Sequence, residues 1–378
     1  MSSATRALRL GLVGCGWIMQ YGHLRPALAN PGVIVTGCLD PDPARARAMA
    51  NRCPSAQAVT LMDDLLTLGC DAWVVASPNV FHEEHASVGV RHGVAVLCEK
   101  PFGTKTDAVR EVAREAAERG VAYVPALVNR FRLDVDYLRR ALAEGVVGQV
   151  REVRCGWLRR GGTPAPGSWF TSSRWSGGGV LTDLGSHMLD LALMIAGPER
   201  LQVSTARTGR SGGTTPGAAW YTGGSGDRVV VDTEDFAEVE LVGETVRAKV
   251  TVAWECDLPA DATYVHVVGS RGRLTLRTLF GFSPRPLWPE PTLVVASGQN
   301  IVRRIPRAGQ AEMAFQRQLN AFLAHIVRGP RSAVTDGRLA SSAHGLTCVD
   351  LTAQAYAHAI AINRTPLPDQ EVIPHAGA

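Results

Sequence analysis

Apolar runs alternate with helical patterns through the first 130 residues of this 378-residue chain. The pattern predicts amphipathic helices that separate strands at 8–14, 33–40, 71–78, 94–101 and 121–131. Apolar strands that alternate with helices form a parallel sheet covered on both faces. The sequence therefore predicts an α/β fold whose N-terminal part is a doubly wound parallel sheet.

The pattern changes after residue 150. Predicted strands at 150–160, 236–241, 246–256 and 264–279 are followed by two predicted helices at 311–329 and 336–360. Short turns between the three later strands indicate antiparallel pairing. We expect a domain at 1–130 and a second at 131–378, and the C-terminal helices either stay with the second domain or pack back on the first.

Residues 205–227 are rich in glycine, threonine and serine and predict an exposed, mobile loop. Trp220 and Tyr221 within it are unusual for a linker. Three alternatives stay open for these two side chains: they cover a substrate, contact another subunit, or pack on the domain.

Charge and hydropathy exclude several classes of protein. The net charge is only +4, and no basic run with interleaved aromatic residues is present, so nucleic acid is not an expected partner. No run of 18 apolar residues predicts a membrane span. The first residues lack the apolar region of a secretory signal, and we expect a cytoplasmic protein.

Metal binding is not expected either. The eight cysteines form no CxxC pair and lie mostly in apolar runs, which favours buried, reduced thiols. The histidines of HEEH, His82 and His85, are three residues apart, whereas the zinc motif HExxH needs a spacing of four.

A glycine-rich turn, GLVGCGW, follows the first predicted strand and opens the first helix. Gly14 and Gly16 match the first two glycines of GxGxxG, where they permit a tight turn and close approach of the backbone to a pyrophosphate. Met19 occupies the third position and departs from the motif. Together with the adjacent Trp17 and Ile18, this turn is a candidate dinucleotide site.

Asp40 strengthens that interpretation. It ends the second predicted strand, 24 residues after Gly16, where an acid binds the ribose hydroxyls of NAD and repels a 2′-phosphate. Asp42 and Pro43 already supply an N-cap and first residue for the next helix, so Asp40 is not needed there. We expect NAD as the cofactor, with NADP less favoured.

The stretch GGGVLTDLGSHMLDL, residues 177–191, joins three glycines to a predicted helix. Asp183, His187 and Asp190 are spaced i, i+4 and i+7 and share one face of that helix. An acid and an imidazole in the first turns suggest proton transfer, with glycines leaving room for a cofactor ring.

GLVGCGW, SPNVFH, CEKP and GGGVLTDLGSHMLDL occur in the order of the Gfo/Idh/MocA oxidoreductases, which the whole chain resembles. The resemblance implies a Rossmann domain followed by an α/β domain with an open, mostly antiparallel sheet that mediates assembly into a homodimer or homotetramer. It also implies catalytic roles for Lys100, Asp183 and His187.

The same resemblance suggests residues that line the ligands. The cofactor set also includes residues from the SPNVFH and CEKP motifs, namely Ser77, Pro78, Asn79, His82, Glu99 and Lys100. Asn129, Arg130 and Trp175 are candidate substrate contacts. The expected substrate is a sugar or cyclitol hydroxyl, including antibiotic-type aminosugars and aminocyclitols.

Two other functions stay open at this point. One is an NAD-dependent glycosidase, which oxidises its substrate transiently and regenerates NAD in each cycle. The other is a regulator that binds NAD without turnover.

Overall fold

The computed structural model describes residues 6–197, 200–210, 231–297, 299–305, 310–329 and 337–362. The chain forms two compact units. Unit 1 comprises Met1–Phe131 and Glu312–Val349, and unit 2 comprises Arg132–Ala311 and Asp350–Ala378. Trp220 and Tyr221, with residues 211–227 of the predicted loop, lie outside the described residues.

Unit 1 contains a six-stranded parallel sheet. Its strands are β1 (Leu8–Val13), β2 (Val33–Leu39), β3 (Gln57–Val59), β4 (Ala72–Val75), β5 (Ala95–Glu99) and β6 (Tyr123–Ala126). They lie in the order β3-β2-β1-β4-β5-β6. This is the Rossmann strand order, which reverses direction between β1 and β4 and leaves a crevice there at the carboxyl ends of the strands. The predicted doubly wound sheet is confirmed.

Helices connect these strands and bury both faces of the sheet. They are α1 (Leu24–Ala29), α2 (Pro43–Ala50), α3 (Met62–Thr67), α4 (His82–Arg91) and α5 (Thr106–Arg119). Along β4, Ala72 and Val74 join one apolar core, whereas Trp73 and Val75 join the core on the opposite face. A strand buried on both faces needs a continuous apolar run, which is why AWVV shows no polar alternation.

Unit 2 is built on a nine-stranded mixed sheet that is mostly antiparallel, as predicted. Before it comes α6 (Leu133–Ala143), and the sheet starts with β7 (Val150–Leu158). The short α7 (Ser173–Ser176) and α8 (Ser186–Ala196) precede β8 (Gln202–Gly209), β9 (Phe236–Val242), β10 (Arg247–Ala253), β11 (Ala262–Gly269), β12 (Arg273–Thr278), β13 (Thr292–Ser297) and β14 (Gln299–Arg304). The last elements of the chain are α9 (Gln310–Arg328), α10 (Ser342–His358) and β15 (Ala359–Ile362). Most of α9 and the part of α10 up to Val349 belong to unit 1, and the rest of α10 and β15 belong to unit 2.

The strand order in this second sheet is β14-β13-β12-β11-β7-β10-β9-β8-β15. Only β7 with β10 and β8 with β15 pair in parallel. Because α8 packs against β7 and β10, it lies on one face of the sheet next to its central strands.

Several predicted elements were wrong in detail. The strand predicted at 264–279 is the hairpin β11–β12, because Gly269–Gly272 turns the chain and Gly269 N donates to Gly272 O over 2.9 Å. Residues 205–209, predicted as loop, belong to strand β8. Residues 128–131, predicted as strand, form a 3₁₀ turn. Strands β3, β13, β14 and β15 were not predicted from the sequence.

The sheet face opposite α8 is partly apolar and partly charged. Leu158, Ala253 and Tyr264 lie on it in a buried apolar cluster. Along β10, buried Val250 alternates with the half-buried Lys249. Lys249 Nζ lies 2.9 Å from Glu238 Oε2, and Arg207 approaches the same carboxylate at 3.7 Å. Part of this face therefore carries ion pairs across strands, beside the apolar cluster.

Hydropathy marks one segment of the described residues. Ser173–Ala196 is the one helical segment long and apolar enough to cross a membrane, and 83% of its most apolar window is buried within the protein. Such burial is typical of a core helix.

Candidate active site

The turn after β1 depends on two glycines in different ways. Gly14 has a φ of +86°, and a Cβ there would lie 2.7 Å from the carbonyl oxygen of Ala76. A Cβ on Gly16 would meet no atom within 4 Å among the described residues. Gly14 is required by the fold, whereas Gly16 borders open space that a pyrophosphate fits.

Asp40 holds this turn from the end of β2. Its carboxylate accepts the N–H of Cys15 over 2.9 Å and that of Asp42 over 3.0 Å. Asp42 caps α2 by accepting the N–H of Ala44. The expectation that Asp40 is free was incomplete, but an ionised carboxylate has about four acceptor positions and can bind hydroxyls as well.

Met19 begins one turn of π-helix that continues to His23. Its side chain is fully buried in the core of unit 1. The close packing that the third glycine of GxGxxG normally permits occurs at Gly22 in this chain. A Cβ on Gly22 would lie 2.7 Å from the Phe315 ring of α9. Ile18 precedes the π-turn, and the Trp17 ring lies 4.9 Å from the partly exposed ring of Tyr21.

The loop after β4 is tied to the loop after β5 through His82. The His82 ring nitrogens lie 2.8 Å from Ser77 O and 2.7 Å from Pro101 O. Burial lowers the pKa of His82, and contacts with the two carbonyls and the nearby glutamates oppose that effect. His82 is therefore a brace beneath the loop Ser77-Pro78-Asn79, and the buried Asn79 starts a 3₁₀ turn.

A neighbouring histidine is affected in the same way. Ser77 Oγ lies 3.0 Å from Nδ1 of His85. Burial, assisted by the charge of His82, lowers the pKa of His85 to about 4. At neutral pH His85 is therefore uncharged in this loop.

Lys100 follows β5 at the carboxyl edge of the sheet, and its peptide bond to Pro101 is cis. Its backbone N–H donates to Glu99 Oε2 over 3.0 Å, while Glu99 Oε1 lies 2.7 Å from His23 Nε2. Burial alone raises the pKa of Glu99, but the hydrogen bond and charge of His23 and the charge of Lys100 outweigh it and lower that pKa. An ionised Glu99 thus supports the backbone of the candidate catalytic lysine.

Asp183 and His187 belong to unit 2. One turn of π-helix, Leu181–Gly185, carries Asp183 and runs directly into α8, whose second residue is His187. Asp183 Oδ2 accepts the indole N–H of Trp254 over 2.9 Å. The His187 ring lies 5.6 Å from the Trp157 ring, and both side chains are buried.

Asp190 lies further along α8 and is almost fully buried. Burial and the charge of Asp190 together raise the pKa of Cys155 on β7. Asp190 therefore faces the sheet, as Asp183 and His187 do.

Arg159 is a member of this cluster that the sequence analysis missed. Its guanidinium lies 5.3 Å from the centroid of the Trp157 ring. Burial lowers the pKa of Arg159, and the charges of Asp183 and Asp261 oppose that effect. Trp157, Arg159 and Trp254 lie at the ends of β7 and β10, and only the register of the sheet reveals that these ends meet the helix.

The candidate substrate residues lie in different settings. Arg130 of unit 1 is buried, and its Nη2 lies 2.6 Å from Nε2 of His344. Asn129, also in unit 1, is buried. Trp175 of unit 2 is 37% exposed and contacts the Arg174 guanidinium. Their substrate contacts stay predictions.

Each unit holds part of the candidate residues. Unit 1 holds Gly14, Gly16 and Asp40 beside one another and a supported Lys100. Unit 2 holds the buried imidazole of His187 in α8 and the half-buried carboxylate of Asp183 in the π-turn before it. A glycine turn after the first strand of a parallel sheet is typical of dinucleotide-binding proteins, and imidazole and carboxylate groups are the usual side chains for proton transfer.

Comparison with known proteins identifies the family. Residues 8–127 match the oxidoreductase family model with an NAD-binding Rossmann fold, and residues 135–275 match the C-terminal domain model of the same family. The chain therefore belongs to the Gfo/Idh/MocA oxidoreductases, as the sequence motifs predicted.

Proteins of similar sequence include oxidoreductases that act on sugars. One from Amycolatopsis mediterranei, named as a candidate oxidoreductase subunit of UDP-kanosamine synthase, is 34% identical over 79% of this chain and 83% of its own length. The D-glucoside 3-dehydrogenase of Escherichia coli is 30% identical over 62% of this chain and 67% of its own.

A solved structure shares the fold. The 3-ketoreductase KijD10 of Actinomadura kijaniata, crystallised with NADP, has a TM-score of 0.75 and 22% identity, covering 95% of this chain and 99% of its own. GenD2, from gentamicin A biosynthesis and crystallised with NAD, has a TM-score of 0.73 and 24% identity, covering 94% and 95%. These two proteins were thus crystallised with different dinucleotides.

The two glycines of the turn predict opposite phenotypes. Gly14→Ala places a side chain at a left-handed φ and against Ala76. We expect it to lower the free energy of unfolding by at least about 1–2 kcal/mol. Gly16→Ala meets open space, so its stability should match the wild type while its affinity for the dinucleotide falls. Urea denaturation and calorimetric titration check both. Wild-type affinity in Gly16→Ala, or a loss of stability in it equal to that of Gly14→Ala, contradicts the assignment.

Proposed function

We propose that this chain is an NAD-dependent dehydrogenase or ketoreductase that acts on a hydroxyl carbon of a sugar or cyclitol. The observation that carries the proposal is the placement of the half-buried Asp183 in the π-turn that runs into α8 and of the buried His187 at the second residue of α8. The same chain holds Lys100, whose backbone N–H donates to Glu99. The names of its relatives, which include D-glucoside 3-dehydrogenase and inositol 2-dehydrogenase, favour a polyhydroxylated ring as substrate.

The reaction needs a proton acceptor and a stabilising cation. When bound, the nicotinamide ring accepts the hydride in oxidation and supplies it in reduction. His187 takes the proton of the substrate hydroxyl on an imidazole nitrogen, and it returns that proton in reduction. The ammonium group of Lys100 stabilises the developing alkoxide. Asp183, held by Trp254, orients the imidazole or binds the substrate.

The test is a panel of polyols, sugars and aminocyclitols, including nucleotide-linked aminosugars, assayed by NADH absorbance. Substrate-dependent NADH formation supports the proposal. Cleavage of a glycoside without net NADH formation identifies the NAD-dependent glycosidase instead. Tight binding of NAD with no turnover on any member of the panel identifies a regulator.

We also propose that the enzyme is cytoplasmic. Its eight cysteines are all free thiols, which a reducing compartment maintains.

Cofactor choice follows from Asp40. We expect NAD to bind at least about tenfold more tightly than NADP, because a carboxylate at the end of β2 repels a 2′-phosphate. Asp40→Ser should narrow that difference. Asp42→Ser is the matched control, since it removes a nearby charge and keeps a good N-cap. A titration that gives equal or tighter binding of NADP to the unchanged protein contradicts the prediction.

His187 is expected to act in the chemical step. His187→Ala should lower kcat by about 10²–10⁴ with little change in NAD affinity. Lys100→Ala should cause a similar loss, and the double variant should fall short of the product of the two, because both residues serve one proton transfer. Steady-state rates and melting temperatures separate the alternatives. Near-normal turnover in a destabilised His187→Ala protein means that the histidine serves only the fold.

Assembly is the remaining proposal about partners. We propose a homodimer or homotetramer formed through the outer face of the nine-stranded sheet, as the family resemblance implies. Light scattering at micromolar concentration checks this. A mass near the 40.3 kDa of one chain contradicts it.

A further inference from the structure

Glu234 caps the helix that carries Asp183 and His187. Its carboxylate oxygens accept the N–H of Gly179 at 3.1 and 3.0 Å, and Oε1 also accepts the N–H of Leu181 at 3.0 Å. The N–H of Val180 between them donates to the main-chain oxygen of Glu234 at 3.0 Å. Three consecutive N–H groups at a helix start are thus satisfied by one distant residue, where the chain supplies no adjacent N-cap.

Tyr356 completes this cap. Its hydroxyl donates to Glu234 Oε1 over 2.8 Å, accepts the N–H of Gly179 over 3.1 Å and lies 3.0 Å from Thr182 Oγ1. The hydroxyl therefore connects the carboxylate to both the glycine turn and the first helical turn.

The absence of a side chain at Gly178 and Gly179 allows Glu234 and Tyr356 to approach the helix backbone. A Cβ on Gly179 would lie 2.0 Å from the main-chain oxygen of Glu234, and a Cβ on Gly178 would lie 2.1 Å from the Tyr356 hydroxyl. Any side chain at either position would push the cap away from the helix. The run of glycines thus serves the contact with Glu234 and Tyr356.

The cap controls the candidate acid–base groups through one short path. The N–H of Asp183 donates to the carbonyl oxygen of Gly179 over 3.0 Å, so the backbone of Asp183 follows that of Gly179. His187 lies one helical turn later, at the second residue of α8. Displacement of Gly179 therefore displaces both side chains together.

We propose that Glu234 and Tyr356 are positioning residues, which fix the turn Gly178–Thr182 and thereby aim Asp183 and His187 at the reacting hydroxyl. This rests on the proposed acid–base role of His187. The pair does not touch the reacting atoms, and its effect on rate passes through the helix. Misplacement of a reacting group by about 1 Å costs up to about 10²-fold in rate.

Tyr356→Phe is the sharpest variant, because it removes one oxygen and keeps the ring. Glu234→Gln is the second, since it keeps the shape and removes the carboxylate. Glu244→Gln, in the exposed turn after β9, and Tyr137→Phe, on α6, are matched controls for the same chemical changes elsewhere in unit 2. Each variant is measured for hydrogen–deuterium exchange in peptides covering 177–190, for NAD affinity and for kcat.

We expect Tyr356→Phe and Glu234→Gln to speed exchange in 177–190 in the resting protein and to lower kcat about tenfold or more, with unchanged NAD affinity. The controls should change none of these. In a His187→Ala background Tyr356→Phe should have almost no further effect on rate, because it acts through that histidine. A purely structural role would lower the rate equally in both backgrounds.

Unchanged exchange in both cap variants overturns the proposal, and so does faster exchange with wild-type kcat. Exchange is read without substrate, so it tests the cap even if the panel of substrates finds no turnover. If Glu234→Gln does not fold, Tyr356→Phe decides alone. The proposed function is tested separately, by the rate of His187→Ala with the cap intact.

Discussion

Buried and half-buried carboxylates that accept backbone N–H groups hold the turns that carry the candidate site residues. Asp40 binds the N–H of Cys15 in the dinucleotide turn, and Glu99 binds the N–H of Lys100. Glu234 binds the N–H groups of Gly179 and Leu181. A helix start or a tight turn leaves such donors without partners in the chain around them, and leaving them buried and unmet is costly. Each carboxylate removes that cost and fixes a backbone at the same time.

Glu99 and Glu234 differ in the groups that offset the free-energy cost of burying a carboxylate. Glu99 faces His23 and lies beside Lys100, and these groups lower its pKa in spite of burial. Glu234 is held by the neutral N–H groups of Gly179 and Leu181 and by the hydroxyl of Tyr356, and burial raises its pKa. Neutral donors stabilise a carboxylate less than nearby cations do. The helix cap is therefore the more costly arrangement, which suits a contact kept for geometry.

The strands of the first sheet were predictable from the sequence, whereas the role of the three glycines at 177–179 was not. The physical reason is the same for both. Parallel strands buried on both faces produce continuous apolar runs that any window of the chain displays. The reason for Gly178 and Gly179 lies in Glu234 and Tyr356, far away in the chain, and no local spacing shows that contact. The sequence suggested that these glycines clear space for a cofactor ring, whereas the structure places Glu234 and Tyr356 against them. Trp254 and Arg159 were missed likewise, since sheet register brings them to the helix.

The departure from GxGxxG at Met19 shows how a missing glycine is accommodated. Met19 fills the core, and the π-turn that it begins adds a residue to the helical turn. That turn sets Gly22 against Phe315 and ends at His23, whose ring meets both Phe315 and Glu99. Glu99 in turn holds the N–H of Lys100. The turn that departs from GxGxxG is thus joined through His23 and Glu99 to the backbone of the candidate catalytic lysine.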